Sequence, residues 1–137
     1  MIILVERDKI LDYWDGVKPL IESALEHSQG EFNHVDILQY LISQTMHLWV
    51  AVDNCIQGMA ITQIVIYPRQ RSLQVVLLAG HDAFGRWFED MLKTIEVWAK
   101  CSGCVRVQEN GRAGWEKAEE RLKLGYKKIY TTMSKEL

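Results

Sequence analysis

Side chains able to take up a proton near neutral pH are few in this chain and widely scattered. Glu22, Glu26 and His27 close one helical pattern, His47 precedes an apolar run, and Glu109 lies just past another. A Glu or His works as a general base only within hydrogen-bond reach of the proton it removes. No spacing in the chain singles one of them out, and each also reads as a solvated surface group. Tyr126 and Tyr130 are hydroxyls near the far end. Cys101-Ser102-Gly103-Cys104 is a single Cys-x-x-Cys. Zinc would need two more ligands at a fitting distance, which His81 and Cys55 do not offer. Redox chemistry would want the pair at a helix N-terminus. Here it closes a helix, with Gly103 as the stop, so a packing role is expected and no metal.

Periodicity predicts the elements that carry these groups. Residues 2–6 are apolar and β-branched, a strand. Ile10, Trp14, Val17, Ile21 and Leu25 recur by threes and fours, one helical face. Gly16 and Pro19 interrupt it, and Pro19 suits a first turn. A short helical piece near 9–14 and a main helix from about 17 to 28 are therefore expected. Asn33 is a plausible cap for a second helix with Val35, Leu38, Leu41 and Ile42 on its apolar face. Residues 48–52 form a strand, Asp53-Asn54 a hairpin turn, and 56–67 a long second strand. Pro68 to Arg71 makes the next turn, a small basic tip. Residues 73–79 are apolar nearly throughout, which predicts a strand buried on both faces. After the loop Gly80-His81-Asp82-Ala83-Phe84-Gly85 comes a long amphipathic helix with Trp87, Phe88, Met91, Leu92, Ile95, Trp98 and Ala99 inward. A strand at 104–108, a helix at 112–124 and a last strand at 129–136 complete the order β-α-α-β-β-β-α-β-α-β.

The 137 residues predict one α+β domain over residues 1–137, with 48% hydrophobic and 25% charged residues. A net charge of −2 gives no reason to expect nucleic acid as a partner. No apolar run approaches the roughly 20 residues of a membrane helix. The start, Met1 to Asp8, lacks the basic region and cleavage site of a signal peptide. Three cysteines without a framework spacing fit a reduced, cytoplasmic protein.

That order of elements, with Leu77-Leu78-Ala79-Gly80, Glu96-Val97-Trp98-Ala99, Gly111-Arg112-Ala113-Gly114-Trp115 and Leu124-Gly125-Tyr126, resembles the GNAT superfamily of N-acetyltransferases. Leu48-Trp49-Val50-Ala51 and Gly58-Met59-Ala60 add a likeness to the small GNAT-like proteins of tailed phages and prophages. The resemblance covers essentially the whole chain. It implies a mixed central sheet splayed between strands near 73–79 and 104–108, with acetyl-CoA between them. Backbone at Val76, Leu77 and Leu78 would meet the pantetheine amides, and Gly80, Gly85 and Arg86 would wrap the pyrophosphate at a helix N-terminus. Arg112 would contact a phosphate or carboxylate. The reaction implied is direct attack of an amine, small-molecule or peptide, on the thioester. Glu26 and Glu109 are the candidate bases and Tyr126 the candidate acid.

Two positions depart from the family's wording. Asp82 places an acid in the phosphate loop, where it would cap the helix. Arg121 stands where many members carry their acid Tyr, and a guanidinium cannot give up a proton near neutral pH. These departures support a rival reading: a catalytically silent GNAT-like module of phage assembly or host interaction, virion-associated rather than cytoplasmic. A homodimer through edge strands, or a phage protein partner, is a further expectation.

Overall fold

The computed structural model describes residues 1–82, 85–111 and 114–137. Strands β1 (Ile2–Leu4), β2 (His47–Asp53), β3 (Cys55–Ile66), β4 (Arg71–Gly80) and β5 (Arg106–Glu109) form one sheet in that spatial order. The first four pair antiparallel and β5 joins β4 in parallel, so the sheet is mixed. Helices α1 (Ile10–Leu25) and α2 (His34–Ile42) cover one face, and α3 (Arg86–Cys101) and α4 (Gly114–Leu122) belong to the other.

Alternation along the strands explains the two layers. Leu48 and Val50 of β2 join Val17, Ile21, Ile37 and Leu41 in one core, while Trp49 and Ala51 join Met91, Ile95 and Ala99 in the other. Each buried Val, Leu, Ile or Met among them contributes about 1.5–3 kcal/mol relative to exposure. Asn33 caps α2 as expected, in a reciprocal capping box with Asp36: Asp36 N–H donates to Asn33 Oδ1 at 2.9 Å, and Asn33 N–H donates to Asp36 Oδ2 at 3.0 Å.

Four expectations are corrected. The first helix is continuous from Ile10 to Leu25 after a 3₁₀ turn at Arg7–Lys9, with the exposed Pro19 inside it. A proline there costs about 3 kcal/mol, and full burial of Ile10, Val17 and Ile21 outweighs it. On α2 the inward residues are Ile37, Leu38 and Leu41, which lie within one turn of each other, while Val35 and Ile42 are exposed. Gly85, not Asp82, is the N-cap of α3. The strand expected at 129–136 does not form. Residues 123–137 carry no strand, and Tyr130 and Met133 are 81% and 91% exposed. With Lys127, Lys128, Lys135 and Glu136 among them, neither alternate face has enough apolar surface to bury.

Two irregularities shape the upper end of the sheet. Ile61 pairs with Leu77 and Thr62 with Val75, so β4 carries one extra residue, Val76. Ala51 pairs with Gly58 and Val52 with Ile56, so β3 carries one extra residue, Gln57. Bulges of this kind bend a strand and redirect the residues beyond them. The Gln57 carbonyl accepts a hydrogen bond from His81 N–H at 2.8 Å, which anchors the loop after β4.

Gly58 and Gly80 face each other across β3 and β4, and the Trp87 ring lies over both. A Cβ on Gly80 would stand 2.5 Å from that ring, 2.6 Å from the Gln57 carbonyl oxygen and 2.7 Å from the Gly58 Cα. The last two are backbone atoms and cannot step aside. Gly80→Ala is expected to lower stability by about 1–3 kcal/mol in urea unfolding. Gly103→Ala, where the backbone φ is +83° but space is open, should lose only the smaller conformational term, about 1 kcal/mol.

Candidate active site at the fork of strands β4 and β5

Strand β5 runs beside β4 for four residue pairs and then leaves it. The pairs are Ser72–Arg106, Leu73–Val107, Gln74–Gln108 and Val75–Glu109. Beyond them β4 continues through Val76, Leu77, Leu78 and Ala79 to Gly80, bonded to β3 on its other side. The Val76 bulge therefore falls at the point where the two strands part. On the α1 side, Val76, Leu77 and Ala79 pack on the core; on the α3 side, Leu78 does. Among the described residues, the edge of β4 that faces away from β3 has no partner strand over this stretch.

Glu109 stands at the crotch of the fork, the last residue of β5 and opposite Val75. It is half-buried, and its carboxylate and the Trp115 ring both lie against Gly111. Loss of hydration raises its pKa to about 7. A carboxyl poised there can take a proton from a bound group and release it again near neutral pH.

Aromatic rings line the α4 side of the fork. Trp115 sits between Phe88 (5.5 Å between centroids) and Tyr126 (5.7 Å), in one cluster with Leu78, Leu92 and Ala118. The Tyr126 hydroxyl donates to Glu96 Oε2 at 2.8 Å. Burial first, then that bond and the charges of Glu96, Glu109 and Glu119, hold the phenol far above its ordinary pKa. It stays protonated at any physiological pH, with its proton directed at Glu96. Glu119 accepts from Leu124 N–H (3.0 Å) and Gly125 N–H (2.8 Å), which fixes the turn carrying Tyr126.

The loop into α3 follows the end of β4. Trp87 Nε1 donates to the carbonyls of His81 (2.7 Å) and Asp82 (3.1 Å), tying the loop to the helix. Gly85 N–H donates to the Asp82 carbonyl at 2.9 Å, and no side chain caps the helix start. Phe88 N–H donates to the Gly85 carbonyl at 3.0 Å, so the N–H groups of Arg86 and Trp87, with the exposed Arg86 side chain, are the ones an anion could meet. The Asp82 carboxylate lies close to Gly85 and works against one. The free edge of β4 fits the amides of a pantetheine arm, and the helix start fits a pyrophosphate except for Asp82.

Of the residues singled out from sequence, the fold brings together Glu109, Tyr126, Val76, Leu77 and Leu78, with Gly80, Gly85 and Arg86 at the adjoining loop. Glu26 is exposed at the C-terminal cap of α1, on the opposite layer. Arg112 and Phe84 lie outside the described residues. Glu96, the partner of Tyr126, carries no signal of that role in the sequence, where it stands among Glu89, Lys93 and Lys100 on a long amphipathic helix. Two surface clefts lie away from the fork, one beside His47 and Trp98, the other beside the β3–β4 turn. Among the described residues no cluster of His, Cys, Asp and Glu is arranged to hold a metal ion, and no helix is long and apolar enough to cross a membrane.

No family model matches the chain, and no curated protein matches it as a relative. Solved structures do resemble it along its whole length. An aminoglycoside acetyltransferase from an uncultured soil metagenomic sample, in complex with sisomicin, superposes with a TM-score of 0.75 at 12% identity, covering 100% of this chain and 95% of the other. A GNAT family acetyltransferase from Staphylococcus aureus gives 0.67 at 14% identity, covering 100% and 98%. A predicted acetyltransferase from Clostridium acetobutylicum with acetyl-CoA gives 0.71 at 13% identity, covering 99% and 95%. The fold is therefore that of the GNAT acetyltransferases.

The raised carboxyl of Glu109 makes a pH-dependent contribution to stability. Its folded pKa lies above its unfolded one, so the folded state holds the extra proton between them. That contribution is fully present below about pH 4.5, is lost as pH rises toward 7, and is constant above. Glu109→Gln is expected to remove that downward slope. Urea midpoints measured from about pH 4.5 to 8 for both proteins would check it; parallel curves would refute the assignment.

Proposed function

We propose that this chain is an acetyl-CoA-dependent N-acetyltransferase whose reaction centre is the fork between β4 and β5. The observation that carries the reading is the coincidence, at one level of the sheet, of the Val76 bulge, the end of β5 pairing and the raised carboxyl of Glu109. The same fold in a neighbour solved with acetyl-CoA supports the choice of acyl donor.

Acetyl-CoA would supply an activated acetyl group. The unpaired edge from Val76 to Leu78 would hold the pantetheine arm and orient the acyl carbonyl toward backbone N–H donors. Gly80, Gly85, Arg86 and the start of α3 would face the pyrophosphate, with Arg112 as a further phosphate contact. Glu109, its pKa raised to about 7, would take the proton that an ammonium must lose before its nitrogen can attack. Glu26 is too exposed at the far end of α1 to share that work. Tyr126 retains a proton but offers it to Glu96, so a role as acid would require that bond to exchange. The acceptor is an amine; the sisomicin complex of one neighbour makes a small polyamine the natural first candidate.

One observation favours a second reading, a silent GNAT-like module working through protein contact. Phe88, Trp115 and Tyr126 pack together against Leu78, on the flank the pantetheine arm would use.

Thermal unfolding with acetyl-CoA separates the two. At about 100 times its Kd, a ligand of the folded state adds about 2.7 kcal/mol of stability. A clear rise in Tm is expected; none at millimolar acetyl-CoA would favour the silent module. If transfer to a polyamine is then detected, kcat/KM should climb with pH around a midpoint of about 7, and Glu109→Gln should cost about 10²–10⁴ in rate and lose that limb.

A further inference from the structure

At the end of the sheet opposite the fork, the β3–β4 turn, the start of β5 and the trailing segment meet around a cleft of about 400 Å³. Its walls carry Tyr67 and Arg69 from the turn, Arg106 and Gln108 from β5, and Tyr130 from the trailing segment. Among the described residues, no acidic one lines it. The volume falls within the range of small-molecule sites, about 300–1,000 Å³.

The two guanidiniums are the informative groups. Neither Arg69 nor Arg106 makes an ion pair or a side-chain hydrogen bond with any described residue, and the hydroxyls of Tyr67 and Tyr130 are likewise without a partner among them. Arg71 nearby, by contrast, is engaged: its Nη1 donates to the Ser102 carbonyl at 3.1 Å. Gln108 is oriented by donating from Nε2 to Gln74 Oε1 at 2.9 Å, which leaves its own carbonyl as an acceptor. In a chain with net charge −2, bringing two unpaired arginines to one cleft without a carboxylate leaves positive charge uncompensated. Guanidinium forks match phosphate oxygens two at a time. Tyr67 and Tyr130 in the lining offer ring faces on which a flat heterocycle can stack.

We propose that this cleft binds a small phosphorylated compound bearing a flat ring, the chemistry of a nucleoside monophosphate. Arg69 and Arg106 clamp the phosphate, Tyr67 and Tyr130 hold the ring, and Gln108 accepts from a ring or sugar donor. The cleft shares no lining residue with the fork, which begins at Glu109, one residue beyond Gln108.

Calorimetric titration of the full chain with AMP, adenosine and inorganic phosphate tests this. AMP is expected to bind at least about tenfold more tightly than either fragment. Arg69→Ala and Arg106→Ala, both at exposed positions, should each weaken AMP about 10- to 100-fold with the unfolding midpoint unchanged. Tyr130→Ala should weaken AMP about tenfold and inorganic phosphate little. Binding should also fall as salt is raised. No heat with millimolar AMP would overturn the proposal, and so would equal affinity for AMP and adenosine. Unchanged AMP affinity in the double arginine variant would overturn it too, because the ligand would then be held elsewhere.

Discussion

The fork depends on one extra residue. Val76 has no counterpart on β3, so β4 gains a residue at the level where β5 stops pairing. Side chains below it follow one parity, with Leu73 on the α3 layer; above it the parity reverses, with Leu77 and Ala79 on the α1 layer and Leu78 toward α3. A bulge increases the local twist and breaks the ladder, and both effects turn β4 away from β5. Without that step the two strands could continue side by side, and the backbone edge that faces the fork would be consumed in ordinary pairing.

A second bulge stabilises the consequences of the first. Gln57 is the extra residue of β3, and its carbonyl takes the His81 N–H as the chain leaves β4. Trp87, in the first turn of α3, covers Gly58 and Gly80 and bonds the His81 and Asp82 carbonyls. His81 is thereby held to the sheet by the Gln57 carbonyl, and His81 and Asp82 are tied to α3 by the Trp87 indole. On the other side Glu119 and Glu96 hold the turn and hydroxyl of Tyr126. Glu109 lies between them, where burial strips water from its carboxylate, and its raised pKa is the result.

Much of the fold is legible in the sequence because local chemistry and burial agree. The Asn33 capping box, the Asp53-Asn54 turn and the helical face of Trp87 to Ala99 each carry a pattern with one physical reading. The run from Leu73 to Ala79 is legible only in part. Its near-continuous apolarity, broken by Gln74, reads as a strand buried on both faces, whereas it also records the parity reversal at Val76, which no single-strand pattern can distinguish. Residues 129–136 mislead for the opposite reason. Their β-branched and aromatic members favour a strand locally, yet a strand needs a face to bury, and Tyr130 and Met133 remain exposed. Pro19 misleads as well, because its local cost is set against core burial that sequence spacing does not weigh.

Residue types and periodicity are enough to establish the order of elements, the two apolar layers and a short set of proton-handling candidates, since these depend on neighbours along the chain. They cannot rank Glu109 above Glu26. Both are glutamates at the end of an element, and the difference is hydration: one is exposed at a helix cap, the other loses water at the fork, opposite Val75 and against Gly111. Nor can they join Arg69 to Arg106, which are remote in sequence and meet only because β5 lies beside β4. Dielectric environment and long-range juxtaposition arise when distant segments pack, and both of this protein's candidate sites rest on them.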